Sequence, residues 1–259
     1  MNKFSFKDYK LALKSIKSQH KTFSFRDCAE LGYDKIINTK KFVIMRHDIE
    51  ASVDQALKLA ELDAKENISS SFFFLLTGDY NIFSEEDAPK IFKIIELGHD
   101  IGLHYDASFL SSFSSNLSNL INYQSKLIES FFSIKVYAAS CHKPMRYGKL
   151  SNTGKLINTY DSKYMVDIKY ISDSNQSWRE GGIIKNLKEF DKIQLLTHDI
   201  CWSDKDLSFD EILLNNLSEN YKNKKIKIMS MIKDMHKGLK MRSIKDKEFK
   251  NIYMKNKKK

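Results

Sequence analysis

The chain has 259 residues, 42% of them apolar, enough for one sizeable core. Its formal charge of +10 is unevenly spread: residues 222–259 carry 15 Lys/Arg against 3 Asp/Glu, a local +12, so residues 1–221 sum to −2. That balance excludes a basic body built to track nucleic acid, and no apolar run approaches the ~20 residues of a membrane span.

In chain order, the apolar run at 42–46 reads as a buried strand and leads into Arg46, His47, Asp48 and Glu50. Residues 51–66 follow at helical spacing, with Val53, Ala56, Leu57, Ala60 and Ala64 on one side. A second strand covers 72–76. Ser84, Asp87 and Pro89 then signal a helix start, and Gly98 a stop. A third strand at 101–103 ends on His104. A long amphipathic segment spans 113–132, and strands are expected at 136–139, 165–171 and 193–196. Helices close the chain from about 209. Alternating strands and helices without a repeat or long linker predict a parallel α/β architecture. The domain reading is a body over 1–221 and a basic helix with a Lys-rich end over 222–259. That end is expected to be a solvated face, or a contact for a weak anionic partner.

Five polar clusters recur just past apolar runs: 46–50, 104–106, 142–146, 172–179 and 198–202. In parallel α/β folds such positions face the ligand crevice, and five of them on one rim suit a barrel mouth. Asp48 and Glu50 are two apart and share a strand face, so one can hold an ion while the other takes a proton from water. His104, delivered by an apolar strand, suits a neutral imidazole ligand. His99 sits at that strand's entrance and reads as structural. His198 suits proton donation to a leaving amine, and His142 occupies a similar place. Trp178 and Trp202 either stack on a sugar face or pack the rim. Arg46, Arg146 and Arg179 either grip phosphate or carboxylate or pair with rim acids. Asp106 and Asp173, in the same clusters, join these five as candidate substrate contacts.

Cys28, Cys141 and Cys201 form no CxxC and no even framework, which fits a reducing compartment. The first residues hold no uninterrupted apolar segment with a small-residue cleavage site, so a cytoplasmic location is expected.

The series R46-H-D-I-E50, S71-F-F-F, G98-H-D-I-G-L-H104 and Q194-L-L-T-H198 resembles the polysaccharide deacetylase superfamily. The nearer likeness is to its divergent branch with R-H-D-V-D, G-H-E-I-G-L-H and T-H-P-x-W motifs, over residues 42–202. The segment K169-Y-I-S-D-S174 with W178-R-E also looks like that branch. The resemblance implies a single-domain distorted (β/α) barrel of about seven parallel strands. It implies removal of an acyl group from an N-acylated sugar with a divalent metal, usually zinc. On this chain Asp48 would be the general base, Glu50 and His104 metal ligands, and His198 the general acid.

The chain departs from the family in two places that matter to the metal. Glu50 stands where Asp is usual, and Ser108 stands where the second histidine ligand would fall. His142 or Asp106 could complete the site, with His142 favoured because it ends another strand. Asp199 also replaces the branch's proline. The resemblance leaves two alternatives, a cyclic-amide hydrolase and a saccharide-binding protein without activity. With no leader expected, an activated or lipid-linked sugar precursor suits better than finished wall polymer, and its pyrophosphate would give the arginines a partner.

Overall fold

The computed structural model describes residues 4–147, 152–179 and 181–256, with the side chains of 146–147, 240–244 and 251–256 left aside. Among the described residues eight strands form one parallel sheet: β1 (Lys21–Phe23), β2 (Phe42–Ile49), β3 (Ser71–Leu75), β4 (Asp100–Tyr105), β5 (Ala138–Cys141), β6 (Ile157–Asn158), β7 (Lys169–Ser172) and β8 (Lys192–His198). Seven follow the order β6-β5-β4-β3-β2-β8-β7. On one edge of β2, β1 takes the first half, with Lys21 opposite Phe42, and β3 takes the second, with Arg46 opposite Ser71. The strands curl into a half-barrel with helices outside, the distorted α/β barrel expected from the sequence. Among the described residues it stays open between β6 and β7.

Strand alternation sorts the side chains into two apolar clusters. Val43, Met45 and Ile49 of β2, Phe72 and Phe74 of β3, and Ile193 and Leu195 of β8 belong to the larger cluster, under the helices. Phe42, Ile44, Phe73 and Ala138 belong to a smaller cluster with Phe25 and Tyr164. Arg46, Asp48 and Glu50 share the parity of Ile44 and therefore lie on the inner side of the strand. Gly102 of β4 has an inner position too. A Cβ there would come within 2.3 Å of the Phe73 ring, so close backbone–ring packing requires glycine.

The helices start where side chains can accept from their first free amides. Ser52 accepts from Gln55 N, so the expected 51–66 helix runs Val53–Lys65. Asn116 accepts from Asn119 N, which trims the 113–132 segment to Leu117–Phe132. The strand expected at 165–171 is shorter, Lys169–Ser172, because Asp161 caps a turn of helix over Ser162–Met165. An N-terminal helix, Phe6–Gln19, adds Tyr9, Leu13 and Ile16 to the larger core.

The chain divides into two compact units, Met1–Leu213 and Leu214–Lys259. The described residues of the second, 214–256, belong to one helix, Phe209–Asn256, which passes the expected boundary at 221 and 222 without a break. No helix among the described residues is long and apolar enough to cross a membrane.

Candidate functional site

Parallel strands bring their carboxyl ends to one rim, where three side chains converge. Glu50 follows β2, His104 is the penultimate residue of β4, and His142 follows β5. His104 Nε2 lies 3.3 Å from Glu50 Oε1 and 3.3 Å from His142 Nδ1. His142 Nδ1 lies 3.2 Å from Glu50 Oε1 and 3.1 Å from Glu50 Oε2. His104 Nδ1 lies 3.0 Å from the Ser140 carbonyl, an acceptor only. That contact places the His104 proton on Nδ1 and turns the Nε2 lone pair toward the other two donors. The His104 side chain is 2% exposed and that of Glu50 19%, so the cluster opens to solvent beside the carboxylate.

These three donors fit a divalent ion. Ligands held about 2.0–2.1 Å from a tetrahedral zinc stand about 3.3–3.4 Å apart, close to the separations found. Two imidazoles and one carboxylate, with a fourth position open, is a donor set of catalytic zinc. Two histidine nitrogens this close, with one already committed as a lone pair, also call for a cation or a proton between them. Burial works against the charged Glu50, yet the His104 and His142 imidazoles beside it hold its carboxyl below the usual range.

Beneath this cluster Arg46 and Asp48 form a buried bidentate pair, Nε to Oδ1 at 2.9 Å and Nη2 to Oδ2 at 2.7 Å. Arg46 also donates to Ser140 Oγ and, at 3.1 Å, to Gln194 Oε1. Ser140 Oγ donates to Asp48 Oδ2 at 2.7 Å. Burial opposes the Asp48 charge, but Arg46 outweighs it and the carboxyl sits at about 2. Of the two roles open to Arg46, the pairing with an acid is the one found, and no ligand contact is available to it. It is 0% exposed, a strut joining β2, β5 and β8, because its inner parity sends it into the barrel.

On the other side of β2, β8 brings His198 into register with Asp48. His198 Nδ1 meets Asp173 Oδ1 at 2.6 Å, and the His198 amide donates to Asp173 Oδ2 at 3.1 Å. The Trp202 indole N–H donates to the same oxygen at 2.7 Å. Burial disfavours imidazolium, but the Asp173 carboxylate prevails and holds His198 well above its ordinary pKa. Asp173 is fully buried, so the expected substrate contact is a positioning residue for His198. Trp202 is 2% exposed and packs on Tyr9 and Phe4, while Trp178 stacks on Phe4. The packing alternative, rather than the sugar platform, describes both tryptophans.

Asp106 caps the Ala107–Ser111 helix by accepting from Phe109 N at 3.0 Å, and Ser108 is exposed on that helix. Arg179 is exposed on the segment after Trp178. The side chain of Arg146 lies outside the described residues.

Two features carry no local sequence signal. Asp199, just past His198, accepts from the amides of Glu50, Ala51 and Ser52 at 2.6, 3.1 and 2.6 Å, fixing the turn that aims Glu50. His47, of opposite parity to its neighbours, turns to the outer layer. There Asp63 takes His47 Nε2 at 2.9 Å and the Tyr9 hydroxyl at 2.7 Å, and Ser70 Oγ also donates to it. His99 bridges the Ala60 carbonyl and the Ser70 amide, the structural role its position suggested.

No family model matches the sequence, and no curated protein matches it. Among solved structures the chain is similar to the Xyl-CE4 domain of a multidomain xylanase from the hindgut metagenome of Trinervitermes trinervoides, at 14% identity and a TM-score of 0.44, over 73% of this chain and 85% of that one. It is also similar to the chitin deacetylase of the fungal pathogen Colletotrichum lindemuthianum, at 14% identity and a TM-score of 0.41, over 69% and 81%.

Proposed function

We propose that the protein is a metal-dependent hydrolase that removes an N-acyl group, acetyl in the first instance, from an amino sugar. The reading rests on the convergence of Glu50, His104 and His142 at one rim, flanked by a charged Asp48 and a protonated His198. A divalent ion held by those three residues, zinc being the best match to the donor set, would polarise the amide carbonyl and acidify a water. Asp48, ionised at neutral pH, takes the proton of the attacking water. Both its oxygens are engaged, so that transfer draws on the Ser140 contact. His198 donates from Nε2 to the departing amine, while Asp173 holds Nδ1 and keeps the ring in the donating orientation. Three free, buried cysteines favour a reducing, cytoplasmic setting, and with it a precursor in surface-glycan biosynthesis as substrate.

The test joins metal analysis to turnover. Protein purified without chelator should hold one divalent ion per chain, lost in Glu50→Ala and His104→Ala. Acetate should be released from one or more members of an N-acetylated sugar panel, only with metal, and should fall steeply in Asp48→Asn. No turnover by the metal-loaded protein across a broad panel would sink the reading, as would undiminished turnover in Asp48→Asn. Turnover of a cyclic amide by metal-free protein would replace it with the other hydrolase.

A further inference from the structure

The helix Phe209–Asn256 carries a series of exposed apolar side chains. Leu217, Tyr221, Ile228, Ile232, Met235 and Leu239 are 42–69% exposed. At about 100° per residue all six fall within an arc of about 60°, along a stretch about 33 Å long. Ile226 and Met229 fall outside the arc. Lys222, Lys233 and Lys237 occupy the other faces, and Lys224 and Lys225 border the stripe, where their long stems can lie along an apolar surface while the ammonium stays in water. Over 217–239 the helix has six lysines against Glu219 and Asp234.

We propose that this helix lies on an anionic lipid surface, its apolar stripe in the headgroup–acyl boundary and its lysines against lipid phosphates. An apolar stripe bordered by lysines is the pattern of an interfacial helix, and the charge selects an anionic leaflet. A second copy of the chain fits less well. In the heptad that places Leu214, Tyr221, Ile228 and Met235 at one core position, Lys224 and Gly238 interrupt the other. Two such helices would also bring lysines together. Nucleic acid would use the lysines and leave the stripe in water. The proposal does not depend on the reading of the metal cluster.

The test is vesicle flotation of the full chain with phosphatidylcholine vesicles, with and without phosphatidylglycerol. Binding should be tenfold or more tighter to the anionic vesicles and should weaken as salt rises. Two variants separate the terms: Ile228→Gln/Ile232→Gln/Met235→Gln keeps the charge, and Lys222→Gln/Lys233→Gln/Lys237→Gln keeps the stripe. Each should lose binding tenfold or more, with helix content by circular dichroism and the thermal midpoint of the body unchanged. Absence of binding, equal binding to neutral vesicles, or full binding by the stripe variant would overturn the proposal. So would self-association of the wild type, measured by sedimentation, that the stripe variant abolishes.

Discussion

Two pairings of histidine with carboxylate sit on the same rim and are built oppositely. In the Glu50 cluster one carboxylate faces two imidazoles, and the second ring nitrogen of His104 is taken by a backbone carbonyl, leaving the first to face the carboxylate. In the Asp173 pairing one carboxylate collects three donors, from an imidazole, an amide and an indole. The first arrangement turns two ring nitrogens and a carboxylate toward one point. The second is electrically complete and stores a proton. The functional groups are the same in both; the partner of the second ring nitrogen and the donors around the carboxylate decide whether the pair suits a cation or acid catalysis.

The sharpest way to break this contrast is to remove the charge from Asp173. Asp173→Asn takes away the cause of the raised His198 pKa, which should fall toward the ordinary ~6.5. A general acid works while protonated, so the alkaline limb of the pH–rate profile should move to lower pH and the rate should drop about 10²–10⁴-fold. The His198 ring resonances in an NMR titration read the same shift without turnover. The stability sign follows: the wild-type pair stabilises the fold fully below about 6.5 and loses that contribution as pH rises through the raised value. Retention of the wild-type His198 titration in the variant would show that Asp173 does not set it.

Asp199→Ala should act on the other pairing. It frees three amides and loosens the turn that aims Glu50, with an expected loss of metal affinity of about 10–100-fold by calorimetry and no change in the His198 titration. Unchanged metal affinity would make Asp199 a helix-start anchor only. Tyr9→Phe serves as the control in the outer layer. It removes one hydroxyl donor to the buried Asp63 and should lower unfolding free energy by about 1.5–3 kcal/mol in urea, with metal affinity untouched.

Much of the barrel was legible because strands 42–46, 72–76 and 193–196 are short apolar runs between helical patterns, and the alternation of β2 already put Asp48 and Glu50 on one face. His142 and Asp106 carry similar signals in the sequence. Both follow strands, but Asp106 finds a local partner in the Phe109 amide and becomes a helix cap. For Arg46 and Trp202 the sequence left ligand contact and burial both open, because arginine and tryptophan at a rim suit either. Their burial depends on Ser140, Gln194, Tyr9 and Asp173, which are distant in sequence.

The amino-acid order by itself determined the alternation of elements, the parity of each strand and the basic, apolar-striped character of the last helix, since these depend on neighbours within a turn or two. Only the tertiary structure decided which nitrogen of each histidine is bound, which carboxylate is satisfied, and that Asp199 holds the Glu50 turn. Those outcomes are set by hydrogen bonds between groups up to about 150 residues apart, brought within 3 Å by parallel strand pairing, and no local pattern encodes them.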